Sequence, residues 1–431
     1  MIQHSGITKI YPIKLTLNKD FIISVLLIFA VDFLLEYYYT SYVVQFYEYI
    51  GLNLHFILSK YIESKLWTFF FVLVLYIIYR RSQFIYALYL FLLLLIFVPG
   101  SIIYSYSDGS RLVFYSVVTF FVIVALFSTI KFQIRTLYLS DTVKYYLLLF
   151  FAVILLVPIF SDLKFNIDIN VLSLNDIYEV RSEYKSNLSF LSSYAFGWLA
   201  KVIIPVLLVY SLKRKNNLFV LFSLAILIYL FLVSGHKSVY FTPAVIIFYY
   251  FFGNDYSKKI KLTMIFVFLL LLLINIPDSF TTNNIFKSLF VRRVFFVPTI
   301  LNQYYFDYFN HNYVYLSHSI FKNFIDYHND LMPAHLIAGV YFDKPEMSAN
   351  NGLISDGFMN FGYFGVVLFS VLFSLLLALL NSIKLDSKYF GLFIFYMITF
   401  ISSAFLTVIL THGFWLVLLL AFIILPEKKQ I

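Results

Sequence analysis

The chain has 431 residues, 62% of them hydrophobic and only 12% charged, with a mean hydropathy of +0.88. A soluble domain could not hide that much apolar surface, whereas a bilayer is itself an apolar solvent and removes the demand for polar cover. The absence of cysteine excludes disulfides, thiolate metal sites and cysteine nucleophiles.

Apolar runs long enough to cross a hydrocarbon core, about 17–25 residues, recur along the sequence. They predict helices near 21–40, 66–79, 84–100, 112–130, 145–160, 191–211, 217–234, 238–253, 262–276, 353–380, 389–408 and 414–425. The expected fold is therefore all-α: a polytopic membrane protein of about twelve transmembrane helices in one domain, residues 1–431. Only 14 glycines stand against 53 Phe and 37 Tyr, so helix contacts must rest on aromatic and branched side chains more than on Gly-x-x-x-Gly seams. No small-residue cleavage site follows the first apolar run, so no signal peptide is expected.

Charge sets the expected orientation. With a cytoplasmic N-terminus, the inside segments hold 18 Lys/Arg in 65 residues, and the outside segments hold 12 in about 150. Short Lys/Arg-rich loops stay in the cytoplasm, so both termini are placed inside. The net charge of +9 is then a topological signal and not the footprint of a nucleic-acid binder. Two outside loops are long, 161–190 and 277–352. Loops well beyond about 15 residues are usually functional, which places any chemistry on the outer face.

Five features in these segments invite a chemical reading. Asp32 and Glu36 share one helix face, with Lys201 in the middle of another helix; the plain account is a structural ion pair between those helices. Ser234-Gly235-His236-Lys237-Ser238 forms an outer turn whose His236 and Lys237 offer a base and a cation, or simply a capped turn. Arg292 and Arg293 sit in the apolar stretch 285–310, which suits the membrane surface; guanidinium forks there fit a diphosphate or ordinary lipid phosphate. His311, His318, His328 and His335 lack the spacing of converging metal ligands. Ser348 to Gly365 opens the long helix 353–380, with Asn350 just before it, Asp356 near its positive dipole end, and glycines for close packing.

Three of these segments resemble the Wzy-type O-antigen and capsular oligosaccharide repeat-unit polymerases. They are Ser234 to Ser238; Arg292-Arg293 with the following proline and Tyr304-Tyr305-Phe306-Asp307-Tyr308-Phe309; and Ala349-Asn350-Asn351-Gly352 through Asp356-Gly357-Phe358 to Gly365. Their order and spacing cover residues 230–370. The resemblance implies a metal-independent, cofactor-free glycosyltransferase of GT-C-like helical architecture, acting on the periplasmic face of the inner membrane. It implies undecaprenyl diphosphate-linked oligosaccharides as donor and acceptor, and a chain-length regulator as partner. On that reading His236 or Asp356 is the base. Arg292, Arg293 and Lys237 meet the diphosphate, with Arg181 as the sole arginine of the first outer loop. Tyr304, Tyr305 and Asn350 meet the glycan. His311-Asn312 and Tyr315-Leu316 are similar to elements of the O-antigen ligases, a neighbouring alternative. A flippase or other transporter is an alternative of another class, disfavoured by the few charges within the spans and the lack of an inverted repeat. A structural scaffold is a third.

Overall fold

A computed structural model describes residues 18–137, 139–164, 167, 171, 177–253, 255–274 and 285–427. Among them the fold is helical, with no β-strand beyond two isolated bridges. In chain order the helices are α1 Lys19–Ile50, α2 Leu58–Arg81, α3 Gln83–Tyr106, α4 Arg111–Phe127, α5 Asp141–Leu163, α6 Ile177–Asn187, α7 Phe190–Lys213 and α8 Asn217–Ser234. There follow α9 Lys237–Phe251, α10 Tyr256–Ile274, α11 at 285–309, α12 Pro333–Phe342, α13 Leu353–Ser382, α14 Ser387–Ser402, α15 Phe405–Ile409 and α16 Phe414–Ile423.

Seven of these (α1, α2, α3, α5, α7, α8 and α13) are long and apolar enough to cross a membrane. α3 and α7 are nearly enclosed and form the centre; α2 and α5 lie outside them. On α2, Leu66, Phe69, Leu73 and Ile77 are each more than half exposed, and on α5 so are Tyr146, Phe150, Val153 and Val157. Spacings of three and four put each set on one helix face. Continuous apolar stripes of this kind are unfavourable in water and ordinary against lipid.

The two ends of the bundle differ in chemistry. At one, short connections are tied together by ion pairs of Lys213 with Asp386, Arg214 with Asp141 and Lys261 with Asp20, and by Lys131 bonded to Asn381. Arg80 and Arg81 end α2 beside Ser82, which bonds Asn381 at 2.6 Å and so belongs to the same end. This is the basic end. The other carries the long connections and will be called the loop end.

Several helices run beyond the expected limits, and in α2 polar anchoring explains the extension. α2 starts at Leu58, not 66, because Lys60, Glu63 and Lys65 in its first turns find partners instead of water. Lys60 pairs with Asp108, Glu63 accepts from Tyr104 at 2.6 Å, and Lys65 pairs with Asp32 and, at 2.6 Å, with Glu36. The expected partnership of Asp32 and Glu36 with Lys201 is thereby corrected: the cation that compensates the buried carboxylates is Lys65. α1 runs on past residue 40 through a π-helical segment, Tyr39–Val43. The span expected at 389–408 is broken between Ser402 and Phe405.

Three of the π segments precede a proline by two residues: Leu93–Phe97 before Pro99, Leu199–Ile203 before Pro205, and Ser288–Phe296 before Pro298. A proline ring clashes with the carbonyl four residues back and supplies no N–H to it. Widening the turn to i→i+5 bonding lets the chain pass without breaking.

Candidate functional site

At the loop end, α11 lies against α13 through Phe306 and Phe358, whose rings stack at 3.8 Å. Its first half is the nine-residue π segment Ser288–Phe296, closed by the Val297 N–H bonding to the Arg292 carbonyl. Val291, Phe295 and Phe296 are buried, while Phe286, Leu289 and Phe290 are exposed beside the cations. Arg292 donates to Ser288 Oγ at 3.0 Å and lays its guanidinium 4.2 Å from the Tyr47 ring centre. That cation–π contact is worth about 0.5–1 kcal/mol and orients the fork without neutralising it.

Arg292 and Arg293 line a cavity of about 760 Å³ with Lys344, Tyr49, Tyr341 and Ser348 on its wall. No ion pair among the described residues joins Arg292, Arg293 or Lys344 to a carboxylate. Asp343 is the one acidic residue in the wall. Three cations against one carboxylate, in a partly enclosed space with a weakened dielectric, form a site for a multiply charged anion. Asn350 follows the wall residues Ser348 and Ala349 in sequence and accepts from Ser348 Oγ at 3.0 Å.

Beyond Tyr341 lies a second cavity, about 320 Å³, bordered by Ser110, Gln303, Tyr304, Asp307, Asn310 and Tyr341 with an apolar floor. Tyr304 and Tyr341 stack at 4.1 Å and form the partition. Tyr304 is pinned by a bond to the Ile50 carbonyl, and Tyr341 donates to Asp307 Oδ2 at 2.5 Å. Burial pushes the Tyr304 hydroxyl up to about 12, so it is a donor at neutral pH. Tyr305, its sequence neighbour, points the other way: it is fully buried and donates to the Ala349 carbonyl at 2.9 Å.

Asp356 borders neither cavity. It is buried, and its Oδ2 accepts from the Phe405 N–H at 2.7 Å, capping α15 from another helix. Its Oδ1 accepts from Asn360 at 3.0 Å, and Asn360 Oδ1 accepts from the Leu316 N–H at 2.8 Å. The positive φ of Tyr315 and Leu316 is held by this link, which gives those residues a structural task. The glycines around Asp356 serve packing: a Cβ on Gly365 would lie 1.9 Å from the Gly357 carbonyl oxygen, and Gly362 turns the chain at φ +63°. α13 kinks there, at Phe361 and Gly362.

His236 and Lys237 occupy a separate place, at the turn between α8 and α9. Arg181 reaches this turn from α6 and donates to the Gly235 carbonyl at 3.0 Å. The His236 ring packs edge-on to Tyr184 at 5.2 Å and lies 5.8 Å from Phe196. Arg181, His236 and Lys237 therefore come together with each other, and none of them is in the wall of the cavity that Arg292 and Arg293 share. Among the loop histidines, His335 Nδ1 bonds the Pro345 carbonyl at 2.8 Å, and no group of three or more metal-ligating side chains is found among the described residues.

Sequence reasoning missed Lys344, Tyr341, Tyr49 and the importance of Asp307. For Asp307 a signal existed: Gln303, Asp307 and Asn310 stand at i, i+4 and i+7, one polar stripe on a helix rich in aromatics. Lys344 had none, since its place in the wall follows from the turn after α12, where Asp343 adopts φ +53°. No family model, curated protein or solved structure matches the chain.

Proposed function

We propose that the protein is a GT-C-like glycosyltransferase of about twelve spans that polymerises undecaprenyl diphosphate-linked oligosaccharide repeat units. It works on the outer face of the inner membrane, with both termini cytoplasmic. The observation that carries this reading is the cavity at the loop end with Arg292, Arg293 and Lys344, none of which is ion-paired with a carboxylate among the described residues. A diphosphate leaving group needs positive charge where its own charge develops, and preorganised cations supply it without a metal. Exposed apolar side chains next to the same cations suit a ligand whose anionic head continues into a lipid tail. The three sequence segments that resemble the polymerases support the same conclusion, and the excess of Lys/Arg at the basic end supports that end as cytoplasmic.

The residues divide by task. Arg292, Arg293 and Lys344 hold the diphosphate, with Ser348 in the same wall and Asn350 bonded to it. Asp356 and Tyr305 hold the scaffold. Arg181 braces the turn carrying His236 and Lys237, a second basic region suited to the other lipid-linked chain or to a regulator of chain length.

Deletion of the gene in its host, with the surface polysaccharide run on a gel, tests the reading. A ladder that collapses to one repeat unit is the expected result, restored by wild type and not by Arg292→Ala; loss of one such donor lowers the rate by about 100-fold or more. An intact ladder overturns the proposal. Loss of every substituted band, including the single unit, replaces it with ligation or export.

A further inference from the structure

We infer that the smaller cavity is the acceptor site, taking the terminal sugar of the incoming repeat unit, and that Asp307 is the base that accepts its hydroxyl proton. The inference rests on the polymerase reading and adds to it a second site and a residue in a chemical role.

The two cavities share one wall and have opposite chemistry. The larger holds Arg292, Arg293 and Lys344. The smaller holds no Lys or Arg; Ser110, Gln303 and Asn310 offer neutral polar groups, and Asp307 the single charge. A diphosphate would be repelled there, while a neutral polyhydroxyl ring finds hydrogen-bond partners over an apolar floor. Its volume of about 320 Å³ is too small for a whole lipid-linked oligosaccharide and suits a terminal sugar.

Asp307 is placed for a proton transfer. No cation pairs with it among the described residues, so its charge is free for the substrate. Tyr341 engages Oδ2 at 2.5 Å and leaves Oδ1 without a hydrogen-bond partner among the described residues. Tyr341 itself stands in both walls, so the carboxylate is one aromatic ring away from the cationic cavity. The alternatives are less well placed: Asp356 is enclosed with both oxygens engaged, and His236 belongs to the braced turn elsewhere.

The step balances without a cofactor. The acceptor hydroxyl gives its proton to Asp307 Oδ1 as its oxygen bonds the anomeric carbon of the donor. The bond from that carbon to the diphosphate oxygen breaks, and the electron pair stays on the diphosphate beside Arg292, Arg293 and Lys344. The proton on Asp307 then passes to water. Tyr341 is a positioning residue in this scheme, since its hydroxyl donates to Oδ2 and orients the carboxylate. The charged and titratable groups around Tyr341 also include Tyr304 and Tyr308 of the same helix as Asp307, and Arg292, Arg293, Asp343 and Lys344 in the wall of the larger cavity.

The test uses the full-length protein in nanodiscs with undecaprenyl diphosphate-linked repeat units extracted from the host, following the rate of polymer formation against their concentration. Asp307→Asn is expected to lose about 100-fold or more in kcat, with KM for the lipid-linked unit within twofold of wild type. Tyr341→Phe is expected to lower kcat by about 10-fold with KM within twofold of wild type, because the carboxylate loses the bond that orients it. That split reads the same role should Asp307→Asn fold poorly. Asp307→Asn turning over within threefold of wild type, or a kcat unchanged by Tyr341→Phe, overturns the assignment while leaving the polymerase reading intact. Absence of polymer from wild type overturns both.

Discussion

Asp356 and Arg292 are both charged residues in segments that resemble the same family, yet their surroundings give them different work. Arg292 keeps its charge open to a cavity, whereas Asp356 uses both oxygens to join α13 to the start of α15. Asp356→Ala leaves the buried Phe405 N–H without its acceptor, at about 1–3 kcal/mol for the unsatisfied group, and takes from the Asn360 amide one of its two acceptors, the other being the Asp356 carbonyl at 2.8 Å. Thermal unfolding in detergent is expected to show a lowered midpoint, and an unchanged midpoint would remove the capping role. His318 supplies a pH-dependent case. Burial lowers it from 6.5 to about 4, and its Nδ1 is enclosed with no hydrogen-bond partner among the described residues. The unfolded state then binds more protons between those values, so stability falls as pH drops from about 6.5 and the loss is complete below about 4. Hydrogen exchange in the segment 311–327 should accelerate over that window, and His318→Leu should abolish the dependence. The chemical type of Arg292 and Arg293 was legible in the sequence; whether each charge was open or consumed was not, because that depends on partners distant in the chain.

Helices here are shaped by single residues that sequence periodicity passes over. α13 reads in sequence as one unbroken helix, but Gly362 bends it and Gly357 faces Gly365 so closely that no side chain fits between. Gly365→Ala should force the kink open and destabilise the fold by about 1–3 kcal/mol, as overpacking does. Detergent unfolding would show it, with Gly100→Ala, where a Cβ meets nothing within 4 Å, as the silent control. The prolines act in the same local way. Pro298 was visible in the sequence, and its consequence, a π segment that sets which way Arg292 and Arg293 project, follows from the missing N–H. The early start of α2 was not visible. Lys60, Glu63 and Lys65 look like loop residues until the carboxylates and hydroxyls of α1, α3 and α4 are brought beside them.

For the whole molecule, the separation of a basic end from a loop end carries the topological proposal. Because the chain has no cysteine, single substitutions report on it against a clean background. In intact spheroplasts, Lys322→Cys should react with a membrane-impermeant maleimide, and Lys215→Cys only after permeabilisation; the reverse pattern would invert the protein and move the cavities to the cytoplasm. Composition pointed to a membrane protein, because so large an apolar fraction is hard to bury in an aqueous fold, and the length of the apolar runs chose helices over the closed barrel that would also satisfy the backbone in lipid. It also determined roughly where the helices lie, since crossing length is fixed by bilayer thickness. Which polar residues meet was decided by tertiary structure. Arg292 and Lys344 are 52 positions apart and share one wall; Asp32 finds Lys65 and not Lys201; Tyr341 joins two cavities from a short helix that sequence reading left inside a loop. Periodicity describes how one helix meets its solvent, and it holds no information about the distances between helices on which a binding site depends.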